Sequence, residues 1–430
     1  MTHLDRLDGR DRNGSDVERE RTEGGPERKR TDGGPERKRT GGGAERGGPD
    51  WRVLGPSVLG VLVRRGAPFA AAEDAVQEAM LEAVRHWQDR VPDDPRAWLI
   101  TTARRKLVDE QRAEIARRRR ELRDHAEPES GPTEEADDTL QLLFLCCHPA
   151  LSDTSAVALT LRAVGGLTTR QIAEAYLVPE ATMAQRISRA KKSLAGKGFQ
   201  AQGDLGRVLT VLYLVFNEGH SGEVDLAGEA IRLTRQLVAA ARSPESAGLL
   251  ALMLLHHARR PARWTSHGDL VPLDEQDRRR WDTGLIAEGV EIIQQALAQD
   301  RLGPYQCQAA IAALHADAPT SAETDWPQIL SWYDELLTLT NSPVVALNRA
   351  VAVGEVDGPL AGLRAAEAVP RSIPRRTAVL AHLHERASSL TRARELYLEA
   401  AAAATNLAEQ RHLTKQAARL HDQTRPRETS

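Results

Sequence analysis

Apolar side chains recur at every third or fourth position along most of this 430-residue chain. Residues 70–88 show the pattern clearly, because their apolar side chains fall on one side of a helix. This stripe consists of Ala75, Val76, Ala79, Met80, Ala83, Val84 and Trp87. Aromatic residues make up only 4% of the chain, fewer than a mostly β protein normally needs. The sequence therefore predicts an all-α protein.

Composition excludes several classes of protein. The formal net charge is −3, so any binding of nucleic acid has to rest on local basic patches. Three cysteines in 430 residues exclude a disulfide scaffold and suit a reducing compartment. The first thirty residues lack the apolar core of a signal peptide. The longest apolar runs are also far shorter than the ~20 residues that span a bilayer. We therefore expect a cytoplasmic protein with no membrane partner.

Two stretches interrupt the helical pattern. Residues 1–50 hold 12 acidic, 12 basic and 11 glycine residues with hardly any large apolar side chain, so they predict a disordered tail. Residues 125–138 carry six carboxylates and neither Lys nor Arg, which is typical of a solvated linker. The predicted divisions are 1–50, 51–124, 125–138, 139–200 and 201–425.

Residues 168–194 have the pattern of a helix-turn-helix. Thr168 and Gln171 are spaced as a capping box at the start of the first helix, and residues 177–179 are typical of a tight turn. The apolar stripe of the second helix consists of Met183, Ile187, Ala190 and Leu194. Residues 181–203 contain five basic side chains and no acidic one. An apolar back with exposed Arg and Gln is what a recognition helix needs in a major groove, so we favour DNA binding over an ordinary amphipathic helix.

A second basic surface is predicted on a helix over residues 95–120. Residues 104–123 contain nine basic and four acidic side chains, and Trp87 and Trp98 flank the polar loop before them. A basic helix beside aromatic rings could hold separated DNA strands through phosphate contacts and base stacking. A solvated charged face above two core tryptophans accounts for the same pattern, so both interpretations stay open on these residues alone.

Together these elements resemble one family, the extracytoplasmic-function (ECF) sigma factors. The residues 73–79 and 95–105, with Asp109 and Arg112, are similar to region 2 of that family, and residues 167–190 are similar to region 4. Residues 140–149 and 212–220 are similar to a subgroup with a large tetratricopeptide-like C-terminal extension. A loose self-similarity at an offset of 33 residues, between 347–368 and 380–401, fits such helical repeats.

The resemblance implies a region 2 bundle, a region 4 helix-turn-helix and a C-terminal helical-repeat domain, with roles for named residues. The residues implied in binding the β′ subunit of RNA polymerase are Asp74, Gln77 and Glu78. Those implied at the −10 promoter element are Trp98, Arg104, Arg105, Lys106 and Arg112. Those implied at the −35 element are Thr169, Arg170, Thr182, Gln185, Arg186, Arg189 and Lys192.

The implied function is promoter-specific transcription initiation in a bacterium. The partners implied are the RNA polymerase core, through its β′ and β subunits, and promoter DNA, both double-stranded and melted. The place of action would be the nucleoid within the cytoplasm. The extension would regulate activity by contacts in cis with the sigma regions, or would contact polymerase.

Two other classes of function remain as alternatives. A helix-turn-helix joined to a sensing repeat domain would make a one-component transcriptional regulator, which needs no polymerase core. An enzyme in the C-terminal domain would have to rely on Glu218 and His220, a weak pair on its own. The run from Cys146 to His148 invites a metal site, but neighbouring helical side chains point about 100° apart. We expect no metal, no cofactor and no catalytic residue.

Overall fold

The computed structural model describes residues 49–87, 90–118, 138–194, 204–218, 225–266, 268–404 and 406–424, without the side chains of 110–118, 138 and 422–424. Nearly all of the predicted tail, and the predicted linker up to residue 137, lie outside these ranges. Within them the chain forms eighteen α-helices, four short 3-10 turns and one isolated antiparallel bridge, with no strand. The all-α prediction is confirmed.

Three helices form the first bundle: α1 (Trp51–Arg64), α2 (Phe69–His86) and α3 (Pro95–Arg118). The carboxylate of Asp50 caps α1 by accepting a hydrogen bond from the Arg52 amide at 3.0 Å. The buried face of α2 is rich in alanine, including Ala72 and Ala79, so α1 and α3 can both approach it closely. Asp94 caps α3 in turn, accepting from the Ala97 amide at 2.9 Å.

Four helices form the second part: α4 (Asp138–Cys146), α5 (Asp153–Ala163), α6 (Thr169–Ala175) and α7 (Glu180–Ser193). Ser152 caps α5 as an N-cap residue. The chain leaves α5 through Gly165 and Gly166. A Cβ atom on Gly165 would lie 2.8 Å from the Leu161 carbonyl oxygen, so this tight exit requires glycine.

The remaining helices form the C-terminal extension. They are α8 (Leu205–Glu218), α9 (Leu226–Ala241), α10 (Pro244–Ala258), α11 (Thr283–Leu297), α12 (Pro304–Asp317), α13 (Trp326–Thr340), α14 (Pro343–Val356), α15 (Pro359–Glu367), α16 (Arg376–Arg386), α17 (Leu390–Ala403) and α18 (Leu407–Thr424). From α12 onward each helix packs on the next, as in an array of helical hairpins. An irregular loop over residues 259–282, with three 3-10 turns, joins α10 to α11.

The predicted 33-residue repeat corresponds to two successive hairpins, α14–α15 and α16–α17. Leu347 and Leu380 occupy equivalent positions in the first helix of each hairpin, and Leu363 and Leu396 in the second. All four are buried in the same cluster. Proline begins α10, α12, α14 and α15, where the missing amide hydrogen costs no hydrogen bond, so it restarts a helix after each of these turns.

One hydrophobic cluster runs through all three parts of the chain. Its buried members extend from Val58 in α1 to Leu254 in α10, and include Met183 of the recognition helix and Leu212 of α8. The most C-terminal helices have a core of their own, which includes Leu347 and Leu420. The two sigma-like parts and the start of the extension are therefore packed as one body.

Candidate polymerase- and promoter-binding surfaces

The three residues predicted to bind polymerase lie together on the outer side of α2. Asp74, Gln77 and Glu78 are all exposed. Leu81 and Val84 extend the same side by one more turn and are 60% and 54% exposed. The sequence pattern does not single out Leu81, and the prediction that Val84 belongs to the buried stripe is wrong, because periodicity cannot tell which edge of a wide apolar stripe is covered. The outer side of α2 therefore joins polar groups to exposed apolar ones.

The basic helix α3 presents its predicted residues to solvent and touches the α2 surface. Arg104 and Arg105 are exposed, opposite a buried apolar face. The Lys106 ammonium lies 3.3 Å from the Glu82 carboxylate and 3.6 Å from that of Glu78. Hydrogen bonding and charge from Glu82, with a smaller contribution from Glu78, raise the pKa of Lys106. Arg112 lies farther along α3, and its side chain is outside the described part.

The tryptophans around the loop before α3 pack on one another. The Trp98 ring meets the Trp87 ring edge-on with centroids 5.1 Å apart, and Trp87 stacks on Trp51 at 5.4 Å. Trp87 is buried and Trp98 is half-buried. The cluster ties α1, α2 and α3 together, and residues 88 and 89 of the loop lie outside the described ranges. Trp98 thus has a packing role here, while Arg104 and Arg105 form the open part of this surface.

The helix-turn-helix has the predicted local structure. Thr168 accepts a hydrogen bond from the Gln171 amide at 3.2 Å, and the Gln171 side chain accepts one from the Thr168 amide at 2.9 Å, which completes the capping box. The turn contains Leu177 with φ of 50°, a left-handed conformation that side chains rarely adopt. Leu177 is 78% exposed, so this conformation reflects the tight turn rather than burial.

The recognition helix α7 packs on the protein with one face and exposes the opposite face to solvent. Its stripe of Met183, Ile187 and Ala190 is buried against α5 and α6. The predicted residues that are exposed are Thr182, Gln185, Arg189 and Lys192, together with Arg170 at the start of α6. Arg186 and Thr169 are half-buried. Arg170 also forms an ion pair with Glu174 at 2.7 Å, so Glu174 offsets part of its charge.

A buried carboxylate joins the first bundle to the helix-turn-helix. Glu73 of α2 is 6% exposed. It accepts a hydrogen bond from Arg162 of α5 at 3.1 Å and forms an ion pair with Lys191 of α7. Gln77, on the outer side of α2, donates to the same carboxylate at 3.2 Å. The polymerase-binding candidates and the recognition helix are therefore connected through one side chain.

Helix α8 of the extension also contacts the part of the chain that contains the helix-turn-helix. Arg207 of α8 pairs with Asp153 at 2.9 Å and donates to the Leu151 carbonyl at 2.6 Å. Burial raises the pKa of the Tyr176 hydroxyl, with the charge of Glu218 adding to this effect and that of Arg186 opposing it. Arg186 of the recognition helix and Glu218 at the end of α8 therefore act on the same group.

The residues considered for a metal site are Cys146, Cys147 and His148, and those considered for catalysis are Glu218 and His220. Cys146 and Cys147 are buried, and burial raises the pKa of the Cys147 thiol to about 12. Among the described residues, no group of three or more side chains is arranged to hold a metal ion. Glu218 ends α8, and His220 lies outside the described ranges. Of the helices in those ranges, each is too short or too polar to cross a bilayer.

Comparison with known families matches three successive segments. Residues 51–121 match Sigma-70 region 2, and residues 141–194 match Sigma-70 region 4. Residues 204–297 match a family of unknown function, DUF6596.

Relatives fall into two groups. An uncharacterized protein of Rhizobium meliloti is 42% identical over 343 residues, which are 73% of this chain and 80% of the relative. The ECF RNA polymerase sigma factor SigK of a Mycobacterium species (strain KMS) is 31% identical over 137 residues, 30% of this chain and 71% of SigK. SigK of Mycobacterium bovis is 29% identical over 148 residues, 32% of this chain and 77% of SigK. Yeast Tom70 aligns over 87% of this chain and 84% of its own at a TM-score of 0.33 and 13% identity.

A region 2 bundle followed by a region 4 helix-turn-helix defines an RNA polymerase sigma factor of the sigma-70 family. Within that class, the chain belongs to the ECF RNA polymerase sigma factors, and it carries a helical C-terminal extension that the SigK matches do not cover. Its function is promoter-specific initiation of transcription, with RNA polymerase core and promoter DNA as its partners.

The Glu73 cluster makes a first prediction. We expect Glu73→Gln to lower the free energy of unfolding by about 3 kcal/mol, because Arg162 and Lys191 would keep their charges in a partly buried place without a counter-ion. Glu78→Gln is the matched control. Its carboxylate is 61% exposed and 3.6 Å from Lys106, so its loss should cost less than about 1 kcal/mol. Urea unfolding measures both values, and equal effects would contradict a special role for Glu73.

Proposed function

We propose that the outer side of α2 binds the β′ subunit of polymerase through Asp74, Gln77 and Glu78. The exposure of all three supports this assignment, and Leu81 and Val84 add apolar area of the kind found at the centre of protein interfaces. The exposed face of α3, with Arg104 and Arg105, would contact the −10 element. The −35 element would be contacted by Thr182, Gln185 and Arg189, which are all exposed on α7.

We also propose that the chain works by binding alone, at the nucleoid. The candidate side chains described above are suited to contacts with DNA and protein. Packing or electrostatics accounts for the position of each, and none requires a chemical reaction to explain it. The competing interpretation, a one-component regulator, needs no polymerase core, so binding to the core distinguishes the two.

Regions 2 and 4 pack against each other in this structure, an arrangement that we call the closed packing. It is incompatible with contacts to both promoter elements at once. Lys106 of α3 and Lys191 of α7 are both paired to carboxylates on the single helix α2. The two elements are about 25 base pairs apart, or about 85 Å of duplex at roughly 3.4 Å per base pair. Region 4 must therefore part from region 2 on the promoter, which breaks the Glu73 ion pairs. We propose that the closed packing is an inactive state.

The extension is placed to favour that inactive state. It shares the hydrophobic cluster with both sigma regions, and Arg207 fixes α8 to the start of α5. While α2 and α8 both hold region 4, it cannot move to a −35 element that lies far from the −10 element. We propose that the extension acts in cis by holding region 4 in place until polymerase, DNA or a signal releases it.

Binding to polymerase provides the main test. We expect the charge reversals Asp74→Lys and Glu78→Lys together to weaken association with purified core polymerase at least about tenfold, because they replace acidic groups at the centre of the interface. The double variant Asp317→Lys, Glu399→Lys is the matched control, since both of its positions are exposed and lie in the extension. Affinity can be measured by fluorescence anisotropy. Wild-type protein that does not bind core polymerase at all would instead favour the one-component regulator.

The recognition helix provides a second test, once cognate promoters have been mapped by sequencing transcript ends after overexpression. We expect Arg189→Ala to weaken promoter binding by the polymerase complex about tenfold. If Arg189 contacts a phosphate, the salt dependence should also lose about one counter-ion. Arg392→Ala, an exposed arginine paired with Glu395 in the extension, should change neither quantity. Equal losses for the two variants would contradict a role for α7 in reading DNA.

The inhibitory contact of the extension provides a third test. We expect Arg207→Ala to raise transcription from a cognate promoter several-fold, because it removes both the ion pair to Asp153 and the hydrogen bond to Leu151. Arg235→Ala is the control, since it breaks an ion pair with Glu288 that lies wholly within the extension. Multi-round transcription with purified core measures the effect. Unchanged or lower output from Arg207→Ala would contradict inhibition in cis.

A further inference from the structure

Two buried hydrogen-bond donors lie together, without acceptors, at the loop between α10 and α11. They are Nε of Arg259 and Nε1 of Trp281, and neither has a hydrogen-bond partner within the described ranges. The two groups are neighbours, because the Arg259 guanidinium lies 5.8 Å from the centre of the Trp281 ring. Trp281 is 5% exposed. Unpaired buried donors are rare in folded proteins and commonly mark the place of a bound water or ion.

The charge around these two donors is positive. Arg278 stacks on the same Trp281 ring at 4.5 Å. Burial, with the charges of Arg263 and Arg278 adding to it, lowers the pKa of Arg259 to about 10. Burial and the charges of Arg259 and Arg278 lower the pKa of His315 to about 4. No carboxylate is among the described groups that shift the pKa of Arg259, Arg278 or His315. The cluster thus concentrates positive charge without a counter-ion of its own.

The neighbouring carboxylates are engaged elsewhere. Asp277 pairs with Arg279 at 3.0 Å, and Asp225 pairs with Arg260 at 2.9 Å. Asp282 caps α11, accepting from two backbone amides at 3.0 Å each. Arg278 is fixed in place by the carbonyls of His315 and Ala318, at 2.6 and 2.7 Å, which are neutral acceptors. Arg259 and Arg278 therefore have no carboxylate partner among the described residues.

A water molecule could satisfy one donor but would not balance the charge. An oxyanion does both, because its oxygens accept hydrogen bonds from a guanidinium and an indole while its charge offsets the arginines. The buried position of both donors limits the ligand to a small group. Residues 259–282 also lie wholly within the segment that matches a family of unknown function.

We propose that Arg259 and Trp281 form a binding site for a small oxyanion, either inorganic phosphate or the phosphate group of a small metabolite, with Arg263 and Arg278 strengthening the local field. The site lies at the end of α10, a helix whose Leu250 and Met253 belong to the cluster shared with the sigma regions. It is separate from every surface assigned above to polymerase or DNA.

The test is calorimetric titration of the full-length protein with inorganic phosphate, and in parallel with glycerol phosphate, at constant ionic strength. We expect saturable binding at one site. Arg259→Gln should weaken it at least about tenfold, because it removes a charged donor. Trp281→Phe keeps the ring but removes the indole N–H, and should weaken it several-fold. Arg279→Gln is the matched control, since it removes the same charge from a side chain that is 92% exposed in the same loop.

The alternative outcomes are distinct. Tighter binding of glycerol phosphate would identify a phosphorylated metabolite as the ligand class, and tighter binding of inorganic phosphate would identify the free ion. A phosphate-dependent shift of one indole N–H resonance in the wild-type NMR spectrum, assigned to Trp281 by its absence from Trp281→Phe, would support the site even if Arg259→Gln failed to fold. Lack of saturable binding by both ligands, or equal weakening by Arg259→Gln and Arg279→Gln, would overturn the proposal.

Discussion

A single buried carboxylate connects the two nucleic-acid-binding regions of this sigma factor. Glu73 gives up most of its hydration, and two cations from region 4 replace it. A buried cluster of this kind adds little net stability, because the loss of hydration nearly cancels the attraction, but it is highly specific in geometry. The ion pairs therefore fix the relative orientation of the two regions, whereas the hydrophobic cluster that both regions share stabilises their packing. Release of region 4 from the inactive state proposed above would have to break both the ion pairs and this shared cluster.

The fold was largely predictable, because most of its signals are local. The capping box of Thr168 and Gln171 involves neighbours in sequence, and the prolines that begin the helices of the extension act within one turn. The repeat at an offset of 33 residues was visible because Leu347 and Leu380 occupy the same position in successive hairpins. The exposed faces of α2, α3 and α7 followed from the same periodicity, with Val84 as the exception at the edge of a stripe.

The contacts that connect the parts could not be predicted in this way. Glu73 and Asp74 are adjacent acidic residues, and nothing nearby in sequence indicates that one is buried and the other exposed. The difference comes from Arg162, 89 residues later, and from Lys191. Trp98 was a candidate for stacking on a base, but its ring packs edge-on against Trp87, which in turn stacks on Trp51. Long-range packing decided these positions, and a single sequence carries little information about it.

The hydrophobic cluster that extends from α1 to α10 also bears on how such proteins can be recombined. A chimera joined between α7 and α8 would separate α8, with Leu209, Leu212 and Val215, from α4 and α5 and expose apolar surface on both fragments. A junction after α10 would keep the buried members of that cluster together but would divide a second core, in which Leu252 and Leu255 of α10 pack with Ile293 of α11. The cores of the extension are linked through the shared helices α10, α12 and α14, so an exchange of segments between relatives at any of these helices would divide a core.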